Sequence, residues 1–360
     1  MNTTITSLCF GVLLAFNACA GKSNTQSSDA PKVNPLAPTI WAIHQDQNGH
    51  FWFGSKADGL YQYDGQTVKH FTKTDGLIGD DIRGIQEDAS GNLYIETLRG
   101  ISKYDGKTFE TLPIKESNGD TSQWTLAPTD LWFRIGFNKG GPYRYDGEYL
   151  HYLEFPRAPQ EAVYDETYPN DSYSRYGIYT IYKDQEGAIW FGTAGMGLCQ
   201  FDGEAVRWHF EEQLQKTPGG GDFGIRAIFQ DRDGQYWINN TRYRYNILKT
   251  SQSEKVTENE RLLDLQKRDG VGQLDLQGAM GYPYFLAITQ DDDGALWMVT
   301  YDDGVWKYDG TQLKNYPIKD GDKEVLLFTI YKDRQGGLWL GTDNAGVYKW
   351  DGNSFKQFLL

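Results

Sequence analysis

Six residues at matching positions of the chain are the best candidates for ligand binding. Each lies five residues before an aspartate that opens a short turn, and the residue after it is always small: Trp41, Arg83, Tyr179, Arg226, Leu286 and Phe328. Arginine offers planar donors and aromatic rings offer flat faces, so Arg83, Tyr179 and Arg226 are suited to hold a sugar or another small polar ligand. The alternative is that these side chains only fill the centre of the fold with paired charges.

Other sequence patterns give weaker evidence for metal binding, nucleotide binding or catalysis. Asp291-Asp292-Asp293-Gly294 has the oxygen ligands that calcium prefers, but it occupies an ordinary repeat turn and no twelve-residue loop with a distal Glu follows. The sequence has no P-loop, no Rossmann glycine pattern, no Cys/His metal spacing and no Gly-x-Ser-x-Gly. We therefore predict neither a metal nor a cofactor.

The candidate residues belong to a unit that recurs seven times. It reads as a short strand, Asp-x-x-Gly, an aromatic strand, a Gly-containing link, a strand ending in aromatic-Asp-Gly, and a last strand. Unit one shows it in full, with Asp46 to Gly49, Phe51-Trp52-Phe53-Gly54 and Tyr63-Asp64-Gly65. Unit three loses the first turn, and unit five has Tyr245-Asn246 where Asp-Gly is expected.

Four short strands in a period of about 40 residues are typical of a propeller blade. Asp-Gly between alternating strands indicates a two-residue hairpin turn. The sequence therefore predicts an all-β fold, a single seven-bladed β-propeller of four-stranded antiparallel blades. The second-strand aromatic, Trp in six of seven units, is expected to fill the space between blades. Unit one starts with an innermost strand and unit seven ends with an outermost one, so we expect closure by packing unless Pro35 to Thr39 adds an edge strand.

Loop lengths predict which face of the ring carries the site. The turns inside each unit are short, and the insertions fall between units: Pro113 to Thr121, Glu154 to Ser174, Glu211 to Asp222, Thr250 to Pro283 and Pro317 to Glu324. Strands alternate in direction, so these links and the second-to-third-strand links emerge on one face, the variable face, where we expect binding. Arg99 and Arg134 lie on links of this face, as do Asp302, Asp303 and Asp343. The insertion Val163 to Tyr168 is read either as a binding lid or, preferably, as a packed surface loop.

The start of the chain resembles a bacterial lipoprotein signal. Leu8 to Phe16 are apolar, Ala18-Cys19 follows, and a polar stretch comes next. We expect a signal peptide over residues 1–18, lipidation of Cys19, a flexible linker over 19–38 and the propeller over 39–360, with an ordinary cleaved signal as the alternative. Cys199 is then the one remaining cysteine, so no intramolecular disulfide is predicted.

Charge limits the class of partner. The net charge of −14 disfavours nucleic acid and other polyanions, so a neutral or cationic ligand fits the composition better. No stretch after the signal reaches about 18 apolar residues, so the lipid anchor is the one expected membrane attachment. We expect a monomer in the bacterial cell envelope, an outer-membrane lipoprotein that faces the periplasm or the cell surface.

The pattern Asp-x-x-Gly-x-Leu-Trp-Phe-Gly-Thr followed by Gly-Leu-x-x-Tyr-Asp-Gly resembles the two-component regulator propeller repeats, over about Ile40 to Leu360. In that family such propellers are extracytoplasmic sensor domains, often of Bacteroidetes hybrid histidine kinases that detect glycan fragments. The resemblance implies a ligand-binding or sensor-accessory protein. Because the sequence has no kinase segment, we expect signalling to need a partner.

Two other functions compete with this one: a scaffold for envelope proteins and a propeller enzyme. Some seven-bladed propellers, the streptogramin lyases, use His and Glu on the variable face. The five histidines here flank the first turn or lie in last strands: His44, His50, His70, His151 and His209. We therefore predict that the protein is not an enzyme, and no catalytic residue is assigned.

Overall fold

The computed structural model describes residues 35–115, 123–136, 140–168, 174–217, 221–248, 262–271 and 284–360. The predicted signal peptide, Cys19 and most of the linker lie outside these residues. The described chain forms seven four-stranded sheets, which confirms the predicted all-β, seven-bladed propeller. No described helix is long and apolar enough to cross a membrane.

Six blades have their strands in chain order from the axis outwards, all antiparallel. Blade one contains β1 Ile40–Gln45, β2 Phe51–Ser55, β3 Leu60–Tyr63 and β4 Val68–Phe71, and a 3₁₀ turn Lys73–Asp75 follows it. Blade two contains β5 Ile82–Glu87, β6 Leu93–Thr97, β7 Ile101–Tyr104 and β8 Phe109–Thr111. Blade three contains β9 Ile114–Lys115, β10 Leu131–Phe133, β11 Tyr143–Tyr145 and β12 Leu150–Tyr152, and helix α1 Glu161–Thr167 follows it.

The second half of the ring continues the pattern. Blade four contains β13 Ile178–Lys183, β14 Ile189–Thr193, β15 Leu198–Phe201 and β16 Val206–His209, and helix α2 Glu212–Gln215 follows it. Blade five contains β17 Ile228–Gln230, β18 Tyr236–Ile238, β19 Asn240–Ile247 and β20 Leu265–Asp269. Blade six contains β21 Ala287–Gln290, β22 Leu296–Val299, β23 Val305–Tyr308 and β24 Leu313–Tyr316. A small hairpin, β25 Lys319–Asp320 and β26 Lys323–Glu324, precedes blade seven with β27 Leu327–Lys332, β28 Leu338–Thr342, β29 Val347–Trp350 and β30 Phe355–Gln357.

The repeat motif folds as it does because its aspartate ties the first turn to the buried aromatic. In blade four, Asp184 accepts a bond from the Ala188 N–H at 2.8 Å and another from Trp190 Nε1 at 2.7 Å. The indole-carboxylate bond recurs as Trp52–Asp46, Trp237–Asp231, Trp297–Asp291 and Trp339–Asp333, and the Tyr94 hydroxyl replaces the indole on Asp88. All seven second-strand aromatics are at most 4% exposed, so their predicted core role is confirmed.

The ring closes by packing between blades seven and one. Each of these blades is built wholly from its own consecutive strands, and Pro35 to Thr39 contains no strand, as expected. The Gly346 N–H donates to the Pro38 carbonyl at 2.7 Å, and Gln45 Oε1 accepts from the Arg334 N–H at 3.0 Å. Closure therefore uses the same glutamine-to-backbone bond that joins other neighbouring blades, as in the pairs Gln230 with Gln185 and Gln290 with Arg232.

Blade three departs from the predicted antiparallel arrangement. Its sheet order is β10-β11-β12-β9, and the fourth strand, β9, lies parallel to β12 at the outer edge. No described strand pairs with the inner edge of β10, so blade three contributes no described strand to the inner ring. In the sequence, this departure is indicated by the missing turn motif, because Leu126 stands where other units have the aspartate. In the structure, Trp132 Nε1 is consequently buried without a hydrogen-bond partner among the described residues.

The prediction that all length variation lies on one face is wrong for blade five. The insertion Thr250 to Pro283 contains β20, which pairs with β19 as the outermost strand. The residues between β19 and β20 therefore connect a third strand to a fourth, and the strand ends that they join lie on the opposite face. A regular Asp-Gly hairpin is disfavoured there because Ile247 stands where the other units have the glycine, and a β-branched residue does not readily adopt the positive φ that this turn needs.

Candidate functional site

A cavity of about 400 Å³ opens where the innermost strands begin, on the variable face, and we call it the axial cavity. Six of the predicted site residues line it: Trp41, Arg83, Arg134, Tyr179, Arg226 and Phe328. Leu286 lines it as well. Arg99 does not; its side chain is exposed on the link between β6 and β7. The fold thus brings six side chains from separate blades to one place near the axis.

Trp41 is the centre of one half of the lining. Its ring stacks on Phe328 with centroids 4.2 Å apart and an angle of 6° between the planes. The Arg83 guanidinium lies 4.4 Å from the same ring. Trp41 Nε1 donates to Asp343 at 2.9 Å, and Lys56 Nζ lies 3.3 Å from the same carboxylate. Ring stacking, cation-π contact and this indole bond together fix the orientation of Trp41.

Arg226 is held in the other half by backbone and ring contacts. Its guanidinium lies 4.1 Å from the Tyr179 ring, and its Nε donates to the Phe223 carbonyl at 2.9 Å. The buried Asn239 fixes the backbone, since its Oδ1 accepts from the Arg226 N–H at 2.8 Å and its Nδ2 donates to the Gly224 carbonyl at 2.6 Å. Asn239 has φ 56°, a left-handed conformation that asparagine tolerates better than most residues.

The described residues of blade three form no inner strand, and charged groups line this side of the axial cavity. Glu96 and Arg134 line it there, and they form an ion pair with Oε1 and Nε 2.9 Å apart. Side chains also cap the open edge of β10: Glu96 Oε2 accepts from the Arg134 N–H at 3.2 Å, and Gln86 Nε2 donates to the Trp132 carbonyl at 2.8 Å. The edge therefore remains hydrogen-bonded without a neighbouring strand.

Glu96 and Asn239 were missed by sequence reasoning, although a signal for both exists. They occupy the glycine position of the Trp-Phe-Gly motif, where Gly54 and Gly341 stand in regular blades. A Cβ at Gly54 would lie 2.5 Å from Ile82 Cγ2, and one at Gly341 would lie 2.5 Å from a backbone oxygen of blade one. Next to blade two, the described residues of blade three form no inner strand, so there is room for the Glu96 side chain.

The axial cavity is locally cationic. Its charged lining consists of three guanidinium groups and one carboxylate. Burial lowers the pKa of Arg83; the nearby Asp81 carboxylate acts in the opposite direction, and the Arg134 guanidinium lowers the pKa further. The simple alternative of fully paired charges holds for Arg134 and Glu96, but the lining as a whole has more cations than anions.

Two other predicted features lie apart from the cavity lining. The described part of the insertion after blade three contains helix α1, and Tyr164 packs against the core cluster of blades three and four. Arg175 pairs with Asp165 of the same helix. Asp291, from the acidic run, bonds to Trp297 Nε1 as in other blades.

Comparison with known proteins supports the repeat assignment. Residues 172–195 and 321–344 match the family model of the two component regulator propeller, which confirms the resemblance seen in the sequence. No curated protein matches the chain in sequence. The matched segments contain the first-turn and aromatic-strand motifs of blades four and seven.

Solved structures share the fold at low sequence identity. An extracellular domain from B. thetaiotaomicron, described as part of a hybrid two component system, is 16% identical with a TM-score of 0.59, and the match covers 89% of this chain and 40% of that one. A second such domain from B. thetaiotaomicron has 20% identity, a TM-score of 0.56, and coverage of 88% and 38%. This chain thus spans about two fifths of these domains. Virginiamycin B lyase from Staphylococcus aureus has 13% identity, a TM-score of 0.61, and coverage of 88% and 97%.

Proposed function

Because the chain carries two component regulator propeller repeats, we propose that it is an extracytoplasmic sensor propeller that binds a small polar ligand, such as a glycan fragment, in the axial cavity. The observation that carries the proposal is the convergence of Arg83, Arg226, Tyr179 and Trp41 on one cavity of about 400 Å³. That volume suits a small saccharide, and convergent polar groups in a concave site are typical of ligand pockets.

The cellular setting is part of the same proposal. The protein is exported, lipidated at Cys19 and held in the cell envelope as a monomer, where a second envelope protein receives the signal. The similar extracellular domains of B. thetaiotaomicron support an extracytoplasmic location. A Cys19→Ser variant should lose incorporation of a labelled fatty acid in cells, whereas a Cys199→Ser variant should keep it. Equal labelling of the Cys19→Ser variant and the unsubstituted protein would reject the anchor.

A thermal-shift screen against oligosaccharides, followed by calorimetry, tests the binding site. We expect a ligand that raises the melting temperature, and Arg83→Ala and Arg226→Ala variants that no longer bind it. Arg207 provides a matched control, because it pairs with Asp202 on the outer strand of blade four, away from the cavity lining. If both cavity variants keep full affinity, the ligand binds elsewhere and the assignment fails.

A further inference from the structure

The charges and ring contacts of the axial cavity identify a narrower ligand class. We propose that the ligand is an acidic saccharide, one that carries a carboxylate or sulfate group, and that Glu96 sets the strength of its binding. This inference rests on the proposed function, because it assumes that the axial cavity is the binding site. It departs from the expectation that the acidic composition favours a neutral or cationic ligand.

The local charge of the axial cavity differs in sign from the net charge of the protein. The protein has a net charge of −14, but the cavity lining holds Arg83, Arg134 and Arg226 against the single carboxylate of Glu96. Net charge describes the whole surface, whereas a ligand inside a concave site responds to the groups within a few ångströms of it. Arg134 is paired with Glu96 and Arg83 lies near the Asp81 carboxylate, so an anionic group in the cavity would above all balance the charge of Arg226.

The faces of the aromatic rings in the axial cavity are already in contact with other side chains. A neutral sugar is commonly bound by stacking on an open ring face. Here Trp41 stacks on Phe328 and has the Arg83 guanidinium over it, while Tyr179 has the Arg226 guanidinium over it. These contacts reduce the ring surface left for a sugar. A stacked guanidinium keeps its in-plane donors directed along its edge, in the geometry that suits a carboxylate or sulfate.

Arg226 has no acidic partner in the described chain. Its described contacts are the rings of Tyr179 and Phe223, the Phe223 carbonyl and the Asn239 side chain, all of them uncharged. Arg134, in contrast, is paired with Glu96, which is 6% exposed. Arg226 is therefore the residue that contacts the anion directly, and Glu96 reduces the positive charge that Arg134 contributes to the cavity.

Calorimetry with a matched pair of probes tests the inference. Digalacturonate and its uncharged methyl ester have nearly the same shape, so the difference between their affinities isolates the carboxylate. We expect the acid to bind at least tenfold more tightly than the ester. A unit charge removed about 8 Å from the anion, in a medium of intermediate dielectric, changes affinity by about tenfold. Accordingly, Glu96→Gln should raise affinity for the acid by about tenfold, Arg226→Gln should lower it at least as much, and the control Arg207→Gln should leave it unchanged.

The possible outcomes separate this inference from the proposed function. Equal binding of acid and ester, with no response to Glu96→Gln, overturns the acidic class and leaves the sugar site in place. A sulfated disaccharide that replaces digalacturonate, with the same responses of the variants, supports the inference and selects sulfate over carboxylate. Binding of inorganic sulfate alone rejects the saccharide. If neither saccharide nor inorganic sulfate binds, both the inference and the proposed function fail.

Discussion

Removal of the Asp184 side chain should destabilise the propeller strongly, because this carboxylate holds three donors in the interior. It accepts from the Ala188 N–H, from Trp190 Nε1 at 2.7 Å and from the Tyr236 hydroxyl at 2.8 Å, which belongs to the next blade. Trp190 is 0% exposed and Tyr236 is 2% exposed, so water cannot readily replace the lost acceptor.

The magnitude follows from the groups left without a partner. Each buried donor that loses its acceptor costs about 1 to 3 kcal/mol, and removal of a buried charge returns part of that cost. We expect Asp184→Ala to lower the free energy of unfolding by about 3 kcal/mol. Asp202→Ala is the matched control in the same blade: Asp202 is exposed, accepts from the turn N–H groups of Glu204 and Ala205, and pairs with Arg207 at the surface. That variant should lose about 1 kcal/mol.

Urea unfolding followed by tryptophan fluorescence measures both variants. A Trp190→Phe background provides the sharper test, because it removes the indole donor in advance. In that background Asp184→Ala should cost about 1 to 2 kcal/mol less than in the unsubstituted protein. If the cost is the same in both backgrounds, or if the Asp184 and Asp202 variants lose equal stability, the indole bond is not what ties the turn to the core.

Three further predictions concern other parts of the propeller. Gly192→Ala should lower the free energy of unfolding, measured by urea titration, by about 2 to 4 kcal/mol, because a Cβ there would lie 2.3 Å from a backbone oxygen of the next blade. The reverse change at the equivalent position of blade two, Glu96→Gly, should leave the protein folded, as measured by circular dichroism. Burial lowers the pKa of His44, partly opposed by the Glu87 carboxylate, so the folded protein disfavours the charged ring. The free energy of unfolding should therefore fall as pH drops below about 6.5, and His44→Gln should weaken that dependence; an unchanged pH profile would contradict it. Burial raises the pKa of the Cys199 thiol well above its usual value, so a disulfide reagent at pH 8 should label it only after unfolding.

The fold could be predicted well from the sequence because each repeat contains the motifs that specify its own turns. Asp-x-x-Gly, the buried tryptophan and Asp-Gly recur in register, and together they specify hairpins and a packing surface within about 40 residues. The same locality explains the errors. Where a unit lacks its motif, the sequence does not indicate which structure replaces it. The strand order of blade three and the long connection between the third and fourth strands of blade five could therefore not be predicted.

The candidate site was predicted only in part. Counting back from the turn aspartate found Trp41, Arg83, Tyr179, Arg226 and Phe328, since these positions follow the strand period. The same logic could not find the partner contacts. Glu96 lines the cavity from the glycine position of its motif, but its contact with Arg134 also depends on the next blade, where the described residues form no inner strand.

One motif position links the irregular blades to the site. In blades one, four and seven the residue two places after the buried tryptophan is glycine, and a Cβ there would lie within 2.5 Å of an atom of the next blade, whereas blade six has Val299 at this position. Three of the exceptions are Glu96, Arg134 and Asn239: the first two line the axial cavity, and the third holds the backbone of Arg226. A ring of identical blades would present the same small residues around its axis and offer little to distinguish one ligand from another. Side chains at this position create the asymmetry that a specific site needs, so the same position in related propellers should indicate where their cavities differ.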